Sequence, residues 1–134
     1  MKKKILIVNA TFYRDISNDI LLSAEKTLKA NGYVSETIEV PGSFEIPAVI
    51  SGFSKKYIGF IALGCVIRGE TTHYDYICNE TARALMDLSL SGLAIGYGIL
   101  TCENKEQAIA RKNEKGKNAA LACINMIEIL NESK

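Results

Sequence analysis

The sequence predicts an α/β fold, a four-stranded parallel sheet with helices on both faces. Three observations predict it. Four short β-prone runs are separated by segments of helical period, so that no two strands follow each other directly. The first run, Ile5-Leu6-Ile7-Val8, is apolar without interruption, as a strand buried on both faces must be. Each run gives way to glycine, proline or capping residues, the punctuation of strand-to-helix turns. Strands that alternate with helices join by right-handed crossovers, and the sheet is then parallel.

Taken in order, residues 5–8 form the first strand and residues 9–14 the loop leaving it. From Asp15 to Ala30 apolar residues recur at Ile16, Ile20, Leu21, Ala24 and Leu28, a helical stripe that Gly32 stops. Residues 33–40 alternate well enough for a second strand, broken at Pro41-Gly42. A helix is expected from Phe44 to about Lys55, with Pro47 tolerable in its first turn. Residues 57–67 form the third strand and residues 72–89 a long helix. Gly92 precedes the fourth strand at 93–100, and Thr101-Cys102-Glu103-Asn104 reads as a turn with capping residues. Residues 106–111 start helical, residues 113–118 are polar and contain a glycine, and residues 119–130 are an apolar-rich helix. No repeat or linker divides the chain, so residues 1–134 are read as one domain.

Composition narrows the function. A net charge of +1 gives no bulk attraction for nucleic acid or a membrane surface. Met1-Lys2-Lys3-Lys4 resembles the start of a signal peptide, but the apolar run after it is too short, and no run approaches a membrane span. A cytoplasmic protein is expected. Its four cysteines, Cys65, Cys78, Cys102 and Cys123, include no CxxC pair, and the chain has one histidine. Reduced, half-buried cysteines are expected, with neither metal nor disulfide.

The peculiar stretch is Arg68-Gly69-Glu70-Thr71-Thr72-His73-Tyr74-Asp75-Tyr76. It reads as the end of a strand, a glycine turn and the first turn of a helix, an arrangement that binds anions. Thr71 and Thr72 are suited to cap the helix, and Glu70 to its positive end. His73 beside such a site points to proton transfer next to a bound anion. The plainer alternative is a capped helix carrying a surface histidine. Ligands in these folds bind beyond the C-terminal strand ends. Four loops are therefore expected to converge there, at residues 9–14, 41–45, 67–73 and 100–104.

Three blocks in those loops resemble the lumazine synthase family. They are residues 40–47 (VPGSFEIP), residues 64–76 (GCVIRGETTHYDY) with Cys78-Asn79-Glu80, and residues 98–104 (GILTCEN) with Glu106-Gln107-Ala108 and Arg111. Their order and spacing match across essentially the whole chain. The resemblance implies a flavodoxin-like three-layer fold. It also implies condensation of 5-amino-6-(D-ribitylamino)uracil with 3,4-dihydroxy-2-butanone 4-phosphate, giving 6,7-dimethyl-8-ribityllumazine, phosphate and water. It implies no metal or redox cofactor, and a homo-oligomer that is a pentamer or a multiple of one.

Residue by residue, the resemblance implies that Phe12 stacks on the pyrimidine, although alone it reads as a loop anchor. Ser43, Phe44 and Glu45 would hold the ribityl chain, where Glu45 otherwise is an ordinary first-turn residue. Cys65, Val66 and Ile67 would read the ring edge with main-chain groups, or are simply core strand. Glu70 and Thr71 would flank the phosphate, and His73 would move protons. Tyr97, where the family often has phenylalanine, would cover the ring from a neighbouring subunit, or is a core aromatic. Arg111 would bring the phosphate ligand from that neighbour, or is a solvated helix-face arginine. A lysine common in the family is absent near Ala119, leaving Lys115 or Lys117 to substitute. The first strand also opens directly at Lys4-Ile5, so the leading strand of shell-forming members is expected to be missing. The competing expectations are a flavin-binding module without catalysis, a riboflavin synthase of related fold, and a purely structural shell subunit.

Overall fold

The computed structural model describes residues 4–69 and 73–133. Strand β1 (Lys4–Ala10) leads into helix α1 (Arg14–Ala30), then strand β2 (Val34–Val40). A 3-10 turn (Ser43–Glu45) runs into helix α2 (Ile46–Gly52), followed by β3 (Gly59–Ile67) and α3 (His73–Leu90). Strand β4 (Ile95–Cys102) and helix α4 (Lys105–Glu132) complete the chain. The sheet has the order β2-β1-β3-β4, all parallel, as the alternation of elements predicts.

Strand period divides the core into two layers. From β1, Ile5 and Ile7 point to one face, where Ile16, Ile20, Ala24 and Leu28 of α1 meet Ala119, Ala120, Cys123 and Ile127 of α4. Leu6 and Val8 point to the other, against Ile46 and Ile50 of α2 and Leu85 of α3. All four β1 side chains are fully buried, which explains why the run carries no polar alternation. Helix α1 ends where Gly32 takes a φ of 82°, a left-handed conformation that favours glycine.

Besides shifts of two residues at the end of β1 and the starts of α2 and β3, the element boundaries differ from expectation in three places. Strand β4 starts at Ile95 and runs through Cys102, so the expected turn at 101–104 shortens to Glu103-Asn104. Helix α2 stops at Gly52 rather than near Lys55. Helix α4 is unbroken over 28 residues, with no interruption at 113–118. Gly116 is buried in that helix because α1 crosses it closely: a Cβ there would collide with the Ile20 carbonyl oxygen. The polar residues around it lie on the solvated side of one continuous helix.

The two faces are covered unequally. Helix α4 buries Ala108, Gly116, Ala119, Ala120, Cys123, Ile124 and Ile127 against α1 and its own sheet, leaving Ile109, Leu121 and Ile129 exposed. Its apolar C-terminal half is thus largely satisfied within the chain. Helix α3 buries only Thr81 and Leu85 among its 18 residues, and Tyr76, Met86 and Leu90 stand exposed on it. Among the described residues, no helix is long and apolar enough to cross a membrane.

Candidate active site

The chain leaves β1 toward one edge of the sheet and β3 toward the other, so a crevice opens between their C-terminal ends. A hollow of about 620 Å³ lies there, within the size range of small-molecule sites. Three of the four expected loops rim it: Phe12 and Tyr13 after β1, residues 41–45 after β2, and Cys65, Val66, Ile67 and Gly69 at the end of β3 with His73 beyond. The fourth loop does not reach it.

Phe12 is 74% exposed, its ring edge-on to Tyr13 with centroids 4.9 Å apart. It is therefore not a loop anchor packed on the sheet, the alternative left open by its sequence. The backbone before it is fixed, since the Thr11 amide donates to the Val40 carbonyl at 3.0 Å. Across the hollow Phe44 is also exposed, while Ser43 is 5% exposed and lines the hollow's inner end. The Ser43 hydroxyl is buried without a hydrogen-bond partner among the described residues. Such an atom is costly unless something supplies its bond, and here it borders a cavity. The Glu45 carboxylate turns back and accepts from the Gly42 amide at 2.9 Å, closing the 3-10 turn.

Cys65 belongs to the core layer beneath α1 and α4, and burial pushes its thiol up to about 12. A thiol so disfavoured as thiolate is a poor nucleophile near neutral pH. Val66 and Ile67 are half-buried at the same rim. His73 opens the described part of α3 and lies exposed on the hollow's wall with Tyr74 and Tyr76. Glu70 and Thr71, with Thr72, lie outside the described residues.

Tyr97 and Arg111 stand elsewhere. They line a second hollow of about 510 Å³ along the free edge of β4, with Thr101, Gln107, Lys115 and Asn118. Arg111 donates to the Gln107 carbonyl at 3.3 Å, and the Lys115 ammonium stands 5.5 Å from the centre of the Tyr97 ring. Tyr97 is 39% exposed, so it is not the enclosed core aromatic that was the other expectation. Ala119 is buried against Gly96 and Gly98 and offers this hollow nothing. Among the described residues the first hollow is lined by no lysine or arginine, and the second by Arg111 and Lys115 together with Glu114.

Two features escaped the reading of the sequence. Gln107, Arg111 and Lys115 are spaced four apart and so share one helix face, a signal hidden by the expected break in α4. Arg68 lies inside the peculiar stretch, yet nothing in its spacing announces that its side chain spans two loops. Among the described residues no three histidine, cysteine or acidic side chains are grouped as a metal would need.

Residues 2–131 match the family model of 6,7-dimethyl-8-ribityllumazine synthase. A protein of Rhizobium meliloti named 6,7-dimethyl-8-ribityllumazine synthase 1 is 50% identical, over 93% of this chain and 90% of its own length. The Sphingopyxis alaskensis 6,7-dimethyl-8-ribityllumazine synthase is 45% identical over 93% of each chain. That of Agrobacterium fabrum is 47% identical, over 96% of this chain and 95% of its own.

Proposed function

Because the chain belongs to the 6,7-dimethyl-8-ribityllumazine synthase family, we propose that it condenses 5-amino-6-(D-ribitylamino)uracil with 3,4-dihydroxy-2-butanone 4-phosphate. Phosphate and water leave, and 6,7-dimethyl-8-ribityllumazine is formed. The reaction joins an amine to a ketone, eliminates phosphate and closes a ring. Holding two substrates in register supplies most of the acceleration in such a sequence, because each step is a proton shift between reactive groups.

In this reading the first hollow takes the pyrimidine. Phe12 stacks on the ring, and the backbone of Cys65, Val66 and Ile67 reads its polar edge. Ser43, Phe44 and Glu45 hold the ribityl chain, the orphan Ser43 hydroxyl gaining a partner there. Glu45 serves mainly by holding its turn, its carboxylate being engaged by Gly42. His73 gives and takes protons at the wall. Glu70 and Thr71 flank the phosphate from the segment before it. The phosphate needs cations, and these come as Arg111, with Lys115 beside it, from a second copy that lays its β4 edge and Tyr97 over the hollow.

The observation that supports a shared site is the separation of the two hollows, one able to hold a ring and lacking lysine and arginine among the described residues, the other lined by Arg111 and Lys115. A copy of the chain would also cover the apolar side chains left exposed on α3. The assembly is then a head-to-tail ring, a homopentamer or a multiple of one, working in the cytoplasm. Mixing the purified chain with both substrates and following lumazine absorbance tests the activity. Product from the two together, and from neither alone, is expected; binding of the product without turnover would make the chain a carrier instead.

A further inference from the structure

Arg68 is the last side chain of the β3 exit, and it makes more connections than any role so far requires. Its amide donates to the Cys102 carbonyl at 2.9 Å, extending the β3–β4 pairing by one residue. Its Nε lies 3.0 Å from one Glu103 oxygen and 3.1 Å from the other. Its Nη2 lies 3.4 Å from Asp75, and the guanidinium stacks over the Tyr74 ring at 4.4 Å. Glu103 is itself held, its amide donating to the Gln107 side chain at 2.8 Å in the first turn of α4. One planar cation thus joins the β4–α4 turn to the two residues that follow His73.

Two roles are open to an arginine in that place. As an anion ligand it would need spare positive charge, but two carboxylates already face it. As a brace it needs partners on both sides, and it has them: Glu103, held in turn by Gln107, on one side, and the Tyr74 ring with Asp75 on the other. Arginine suits this use better than lysine, because the planar fork stacks and pairs at once.

We propose that Arg68 is the positioning residue for His73, bracing the first described turn of α3 against the β4–α4 turn so that the imidazole keeps its place on the wall of the first hollow. This rests on the role given to His73 above. It implies that removing Arg68 acts on turnover through the histidine and not through either substrate's binding.

The test is a double-mutant cycle with one spectroscopic arm. Arg68→Ala is expected to lower kcat about two- to tenfold, the range open to a network of partly exposed ion pairs, with KM for both substrates little changed. In a His73→Ala background the same change should have no further effect. Arg68→Lys should recover only part of the loss, and Glu103→Gln should show a smaller version of it. The chain has one histidine, so its imidazole resonances report the brace without any turnover. They should move in Arg68→Ala and stay put in Lys112→Ala, a change of cation on α4. Equal losses with and without His73, a rise in KM for the phosphate substrate, or an unmoved imidazole signal would each overturn the proposal. A wild-type chain that makes no lumazine while its imidazole still responds to Arg68→Ala would instead count against the proposed reaction and leave the brace standing.

Discussion

Ser43 lays its hydroxyl over Gly64, so close that a Cβ on Gly64 would stand 2.8 Å from the Ser43 oxygen and 3.1 Å from the Ala10 Cβ. The bare backbone of β3 at that point is what lets the loop after β2 form the inner end of the first hollow.

That relationship separates binding from stability. Ser43→Ala removes a buried hydroxyl that has no partner among the described residues, so it should leave stability unchanged or slightly raised. The same change should weaken the ribitylaminopyrimidine about two- to tenfold, the worth of one neutral hydrogen bond. Gly64→Ala should do both kinds of damage, with about 1–3 kcal/mol of overpacking and a raised KM for that substrate. Urea unfolding and steady-state kinetics on the two variants check the contrast.

Gly116 offers a reversed sign. In an exposed helix interior, glycine to alanine stabilises by about 1 kcal/mol. Here the new Cβ meets the Ile20 carbonyl, the Ser23 Cβ at 3.0 Å and the Ala24 amide at 3.1 Å. Backbone cannot step aside as a side-chain tip can, so Gly116→Ala should destabilise by about 1–3 kcal/mol. Thermal melts at one fixed protein concentration are the check, because assembly shifts Tm as well.

The buried thiols predict an alkaline limit. Burial pushes Cys65 and Cys123 up to about 12 from the ordinary 9.0. Both are raised above their unfolded value, so their contribution to stability is complete below about pH 9. It is lost as pH climbs toward the folded values, because the unfolded chain ionises first, by at most about 1.4 kcal/mol per pH unit for each thiol. Urea midpoints should hold between pH 7 and pH 8.5 and fall steeply above about pH 9.5. In the native chain at pH 8 neither thiol should react with Ellman's reagent.

Much of the fold was legible because burial on both faces writes itself into β1 and β3 as unbroken apolar runs, and because Ile16, Ile20, Ala24 and Leu28 repeat at one helical spacing. The boundaries at Gly52 and Ile95 were less so, since Phe53, Leu93 and Ala94 carry apolar character past the hydrogen-bonded elements, and Cys102 was missed because Thr101-Cys102 reads as turn while pairing with β3. Gly116 misled for a definite reason. Its meaning lies in the approach of α1, which is a tertiary fact, while its local signal is that of a helix breaker. The loops around the first hollow were legible from their place after β1, β2 and β3. That the fourth loop stands apart was not, because it depends on β4 being an edge strand in the order β2-β1-β3-β4. The partners of Arg68 were invisible because they depend on tertiary placement, Glu103 lying 35 residues away in sequence and Tyr74 and Asp75 in the next helix.

Mixing two defective chains tests the shared site most directly. His73→Ala should lose turnover by no more than about a hundredfold, the low end for an acid–base residue, with a flattened pH profile around neutrality. Arg111→Ala should weaken the phosphate substrate about ten- to a hundredfold, the worth of a charge-assisted hydrogen bond. In randomly mixed head-to-tail rings, about a quarter of the interfaces pair a wild-type His73 face with a wild-type Arg111 edge. Assayed at limiting phosphate substrate, with mixing confirmed by native mass spectrometry, such rings should exceed both parents where each parent keeps less than about a third of wild-type activity. Activity equal to the average of the two parents would contradict a site shared between copies of the chain.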